Sequence, residues 1–568
     1  MFKKYGLPAI ITVVLGAIYY YLALPVINLK ASSFWGFLIA LVIFFFVSKV
    51  IINKAGFLSL FFKADKAKPR IEFNVKPDKN DSNKAKNIKK AVIIVGALLL
   101  VVIAVLFVSS SKIFNADKYQ KMLSVTESNF NEDIAEIPLS QIPVVDRDAA
   151  ERLGSRKIGE VVDLVSQFNV STYYTQINYQ NTPVRVSPLE YADIIKWYTN
   201  KDEGIPYYVK IDMATQNTEL VKLSEGMKYA PCEYFGRDLN RHVRFAYPTK
   251  MIDSVSFEID ESGAPYWIVS CYDYTIGILG GYDITGIITV NAINGDMEYY
   301  DVGNIPQWVD QVYDADVVLN QANYWGAYKN GYFNSIVSQK NVVKTTEGYN
   351  YLAINDDIWV FTGITSVVSD ESNIGFILVN LRTKEAKTYS INGAEEYSAM
   401  ESAQGKIQEK GYTATFPILL NVADTPSYFI SLKDDAGLVK SYSFVSVANY
   451  QIVGVGDTVA DAEAEYRRLL KEAGKLEESE PDEDSTLVAS GAVAAVSSAV
   501  VDGNTCYFIK LEDSDKIFIA DISLWNELPF IKAGDSISLS YTEVLNSTEE
   551  SDITVTKVEW LVLKNENA

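Results

Sequence analysis

Hydrophobic positions fall into two regimes along the chain. Near the N-terminus they run unbroken. Residues 7–29, "LPAIITVVLGAIYYYLALPVINL", carry no charge, and residues 34–52, "FWGFLIALVIFFFVSKVII", carry only Lys49 near one end. A third apolar stretch spans 91–111. Each is long enough to cross a bilayer, so three transmembrane helices are expected. From about residue 112 the apolar positions instead alternate with polar ones or recur at helical spacing, as in a folded α+β protein.

The alternating part repeats itself. "GIITVNAINGDMEYYD" at 286–301 matches "GFILVNLRTKEAKTYS" at 375–390, and "VKIDMATQNTELVK" at 209–222 is a looser copy. Asn294-Gly295-Asp296 supplies residues that tolerate positive φ, as a short hairpin turn requires, and Thr383-Lys384-Glu385 stands at the same point. Upstream of the two closer copies lie Trp267 and Trp359 in apolar runs, expected at matching places in two sheets. Helical patterns cover 147–168, 305–321, 394–410 and 457–474. Another is expected to begin at Ser187-Pro188, with Glu190 completing a capping box. The reading is of small antiparallel-sheet-plus-helix modules used in tandem.

These signals divide the chain. Residues 1–53 form a transmembrane hairpin, 54–90 a basic loop, 91–111 a third span and 112–146 a stalk. Three α+β modules follow at 147–250, 251–345 and 346–473. An acidic linker covers 474–486, and 487–568 alternates as about five short strands, the pattern of an OB-like barrel.

Charge orients the chain. The loop 54–90 holds eleven Lys/Arg against four Asp/Glu, so it belongs in the cytoplasm, and the part from about 112 to 568 outside the cell membrane. The whole chain carries a net charge of −21 although its first 112 residues are net basic. That acidic remainder argues against nucleic acid as a partner and leaves the lipid bilayer and other envelope proteins.

Little chemistry is legible. The three cysteines, Cys232, Cys271 and Cys506, form neither a disulfide framework nor a zinc site, and a Cys232–Cys271 bridge stays open. His242 is the only histidine, with no nucleophile signature around it. Asp434 and Asp435 lack the spaced carboxylates of a calcium loop. No catalytic, cofactor-binding or metal-binding residue is assigned, no cofactor is implied, and no small-molecule ligand is identified.

The strand–turn–strand units carrying Asn291-Ala292-Ile293-Asn294-Gly295-Asp296 and Asp212-Met213-Ala214-Thr215, each near a helix, resemble PepSY-like domains. The overall layout resembles membrane-anchored envelope proteins of Gram-positive-type bacteria. The expectation is a non-enzymatic envelope protein whose outer modules serve protein–protein contact or sensing. The PepSY resemblance implies an alternative, an inhibitor or regulator of a peptidase or cell-wall enzyme. A glycan-active enzyme using two carboxylates is a third reading.

Overall fold

The computed structural model describes residues 5–62, scattered positions of 90–103, and 104–367, 372–476, 487–501, 504–545 and 551–560, apart from 515 and 526. It divides into two units, Met1–Leu469 and Leu470–Ala568.

The first unit begins with two apolar helices, α1 (Leu7–Ala23) and α2 (Ser32–Phe62). Among the described residues only one stretch, Ser32–Ile52 within α2, is long and apolar enough to cross a membrane, and α1 is shorter. The three expected spans are thereby corrected to one candidate. The third, 91–111, lies partly outside the described residues, as does most of the basic loop 54–90.

Four sheets follow, each built on four antiparallel strands; Val125–Glu127 adds a parallel strand to the third. Blade 1 is β1 (Thr175–Tyr179), β2 (Thr182–Tyr191), β3 (Ile205–Asp212) and β4 (Thr218–Met227). Blade 2 is β5 (Met251–Ile259), β6 (Pro265–Ile276), β7 (Gly280–Asn291) and β8 (Met297–Asp301). Blade 3 is β9 (Asn350–Ile354), β10 (Asp357–Ser366), β11 (Gly375–Asn380) and β12 (Ala386–Tyr389). Blade 4 is β13 (Ile418–Val422), β14 (Thr425–Lys433), β15 (Val439–Ser446) and β16 (Val453–Gly456). In each, every strand pairs with the next in sequence, an up-and-down meander.

The repeated phrase is the turn between the third and fourth strands, and it occurs four times. Asp212 Oδ1 accepts from the amides of Ala214 and Thr215, Asn291 Oδ1 from Ile293 and Asn294, and Asn380 Oδ1 from Arg382 and Thr383. Ser446 Oγ takes the part in blade 4 and accepts from Asn449 N. The left-handed position falls at Gln216, Gly295 and Lys384. The residue directly after the Asx or Ser, Met213, Ala292, Leu381 or Val447, donates its amide to the start of the second strand, at Pro183 O, Pro265 O, Ile358 O and Pro426 O. That residue's carbonyl in turn accepts from the segment preceding the blade: Met213 O from Val144 N, Ala292 O from Lys228 N, Leu381 O from Val312 N and Val447 O from Ala394 N. One turn thus ties three pieces of chain together, which is why its Asx residue recurs.

The sheets close on one another. Phe257 N donates to Thr175 Oγ1 between blades 1 and 2. Lys384 Nζ lies 2.7 Å from Asp283 Oδ2 between blades 2 and 3. Phe376 and Tyr428 pack edge to face at 5.9 Å between blades 3 and 4. Gln216 Nε2 donates to Tyr442 OH at 3.0 Å between blades 4 and 1. Four meanders in a closed circuit make a four-bladed, propeller-like ring. This corrects the expectation of tandem sheet-plus-helix modules: the sheets bury their faces against each other. Between blades 2 and 3, Ile268, Ile287, Val360 and Val379 form one core with Val318 and Ala322 of helix α3 (Ala315–Ala327).

Two local expectations fail instructively. Ser187 and Pro188 lie inside β2, with Ser187 fully buried and its hydroxyl bonded to Ser171 O. The helix that follows starts at Ile194, capped by Asp193. Trp267 and Trp359 are both buried, but their registers differ by one. Trp359 lies opposite Asn380, whereas Tyr266, not Trp267, lies opposite Asn291. A one-residue offset places them on opposite faces of equivalent strands.

In the second unit, strands Leu487–Val501, Asn504–Leu511, Ile517–Asp521, Ser536–Leu545 and Ser551–Trp560 close into a barrel around Ile509, Phe518, Ile537 and Leu539.

Candidate functional site

The first strands of the blades, and the segments leading into them, converge on the ring's interior. There they line a cavity of about 690 Å³. Its walls take Tyr173 and Gln176 from blade 1, Ser256 from blade 2, Tyr349 and Tyr351 from blade 3, and Phe416 ahead of blade 4.

Arg185 is the unusual member. It stands in β2 directly opposite Gln176, between the buried Val184 and Val186, and is itself only 6 % exposed. Its Nη2 donates to Gln176 Oε1 at 3.1 Å. Its Nε has no partner, nor has Gln176 Nε2, and Gln176 is 2 % exposed. Arg185 makes no ion pair among the described residues. The nearby acids are committed elsewhere: Asp146 accepts from Lys433 Nζ and from Ala149 N, and Glu151 pairs with Arg147. Burial lowers the Arg185 pKa to about 10, so it stays charged at neutral pH. A buried charge without a counter-charge costs several kcal/mol unless something supplies one. The other charges at the cavity are Asp146, Arg147, Asp148 and Asp314.

A second polar cluster lies deeper. Glu258 of β5 is fully buried and accepts from Asp310 N at 2.9 Å, Gln311 N at 3.0 Å and Ser256 Oγ at 3.1 Å. Asp310 accepts from Asn178 N at 2.7 Å. Burial pushes the Glu258 pKa up to about 7, and burial with the neighbouring Glu258 charge raises Asp310 as well. The pair resembles a proton-sharing acid dyad in its electrostatics. Both side chains are sealed and bonded to backbone, so neither presents an oxygen to a substrate. Nearby, Arg382 clamps Asp357 with two bonds of 2.6 and 2.8 Å.

His242 lies outside the cavity. Its Nε2 is 2.8 Å from Gly295 O and its ring packs on Tyr229, so it braces the blade 2 turn. Cys232 and Cys271 are free thiols whose pKa values burial raises to about 12 and about 11. Among the described residues no group of three His, Cys, Asp or Glu side chains could hold a metal ion. Sequence reasoning missed Gln176 and Arg185. The available signal was a charged residue inside the buried strand "TPVRVSPLEY".

Compared with known families, the chain matches no family model, and no curated protein matches it. Among solved structures it is similar to a levansucrase variant from Bacillus subtilis, at 10% identity, with 79% of this chain and 97% of that chain covered and a TM-score of 0.16. A levansucrase complexed with sucrose shares 9% identity over 78% of this chain and 92% of that one, also at a TM-score of 0.16. Scores this low carry no argument about fold or activity.

Proposed function

We propose that this is a non-enzymatic, membrane-anchored envelope protein whose ring serves sensing or protein contact, taking its ligand in the central cavity. The observation that carries this reading is the cavity itself. Aromatic and polar side chains from blades 1 to 3 and from the segment ahead of blade 4 converge there, without a nucleophile–base pair among the described lining residues.

Four features support the anchor. The helix Ser32–Ile52 is apolar enough to span. The residues just before it are held on the ring: Ile27 N donates to Pro248 O at 2.8 Å, and Lys30 pairs with Asp273 at 2.7 Å. The basic segment 54–90 follows the helix, so the positive-inside rule puts that segment in the cytoplasm. Exposed apolar side chains surround the attachment, with Phe245 beside Tyr20 and Tyr21, and Ile278 and Leu279 beside Ser110. Such a surface suits an interface with lipid.

The test is photo-crosslinking in intact cells. A photoreactive phenylalanine replacing Tyr349 at the cavity should give an adduct, and the same group at Lys340 should not. Equal labelling at both positions, or none at either, contradicts the reading.

A further inference from the structure

Resting on the cavity reading, we infer that the ligand is a small organic carboxylate, held through its carboxylate by Arg185 and Gln176. The two side chains face each other across the β1–β2 pair, and each has a buried donor nitrogen without a partner, Arg185 Nε and Gln176 Nε2. Both are more than nine-tenths buried and both line the cavity. The two side chains are joined by the Arg185 Nη2–Gln176 Oε1 bond, and their two unpartnered donor nitrogens, one of them cationic, match in kind the two oxygens of a carboxylate, which accepts and never donates when ionised.

The surroundings narrow the class further. Asp146, Asp148 and Asp314 stand on the same cavity against one further cation, Arg147, which already pairs with Glu151, so a second or third negative charge on the ligand meets more like charge than opposite charge. A monoanion fits, and a phosphate dianion does not. Tyr173, Tyr349, Tyr351 and Phe416 supply ring faces and hydroxyls. These favour a ligand whose body is itself a ring, packed against the aromatic side chains with its polar edge toward the hydroxyls. Asp146 and Glu151 are the acids that face Arg185 most directly. Both are already paired, with Lys433 and Arg147, so neither is free to fill the ligand's place.

The experiment titrates the full chain in detergent micelles with matched probes. Glucuronate is compared with glucose, benzoate with benzamide, and inorganic phosphate is the polyanion control. Binding is read by calorimetry and by the change in melting temperature. At least one carboxylate should bind at least ten-fold more tightly than its neutral counterpart and than phosphate. Arg185→Met should abolish that preference, and Gln176→Leu should weaken it about ten-fold. Arg185→Lys, which keeps the charge but loses the fork, serves if the Met variant does not fold, and should lie between parent and Met. Neutral probes binding as well as the acids would overturn the carboxylate assignment while leaving the cavity as a ligand site. Phosphate binding best would replace carboxylate by phosphate. No acid binding below 10 mM, a concentration of about −3 kcal/mol in affinity, would overturn the inference outright.

Discussion

Two polar clusters lie inside one ring, and they are built on opposite terms. Around Glu258 both carboxylate oxygens are used: two backbone amides and a serine hydroxyl converge on them, and Asp310 beside it takes the amide of Asn178. Around Arg185 a charge and two donors are buried without completing their bonds. The first arrangement explains itself, because it joins blade 1, blade 2 and the segment before α3 and needs nothing from outside. The second is incomplete alone. Acids are expected at catalytic centres and an arginine in a β-strand draws less notice, yet here satisfaction of hydrogen bonds, not residue type, separates scaffold from site.

Glu258→Ala should be the most damaging change. It orphans two buried amides at about 1–3 kcal/mol each, so chemical denaturation should show a loss of between about 2 and 6 kcal/mol. A loss below 1 kcal/mol would mean the cluster is not sealed.

The same cluster predicts a pH profile. The folded Glu258 pKa of about 7 lies above the ordinary value of 4.5, and Asp310 shifts the same way. The folded state therefore holds more protons than the unfolded chain across that window. Its advantage is full below pH 4.5 and is lost as pH rises to about 7, by a few kcal/mol. Melting temperature should fall over this range, and Glu258→Gln should flatten the fall. A parent profile that rises from pH 5 to pH 7 would contradict it.

The turns give a smaller effect. Asn291→Ala removes the acceptor for two amides and should cost about 1 kcal/mol. Asn380→Ala should cost more, because Asn380 is buried and also donates to Asp357 at 2.8 Å. Equal losses in paired denaturation curves would show that the two turns contribute alike.

Arg185→Met should change stability least in the absence of ligand, leaving it unchanged or raising it by up to about 1 kcal/mol, since an unpaired buried charge is removed. A loss as large as that of Glu258→Ala would erase the contrast between the clusters and make Arg185 part of the scaffold.

What the sequence made legible follows the same division between local and non-local causes. The third-to-fourth-strand turns were readable because Asp212, Asn291, Asn380 and the left-handed Gly295 act within a few residues of themselves. Ser446, whose turn is one residue longer, hid the fourth copy. Ser187-Pro188 carried a helix-start signal that burial in β2 overrode. The ring, and with it the cavity, was not readable. It depends on contacts such as Gln216 with Tyr442, 226 residues apart, and no short-range pattern records them. Arg185 and Gln176 meet across the β1–β2 hairpin, but their burial comes from the other blades.

Both clusters exist only if four sheets close on one interior, so closure is the claim to test first. In a chain with Cys232, Cys271 and Cys506 replaced by alanine, cysteines at Gln216 and Tyr442 would be treated with a short bis-maleimide and analysed by mass spectrometry after digestion. The closed ring predicts an efficient intramolecular link between the blade 1 and blade 4 peptides, formed at high dilution and absent from each single-cysteine control. No link at dilution, with both cysteines reactive toward a monofunctional maleimide, would show the first and last sheets standing apart and would contradict the ring.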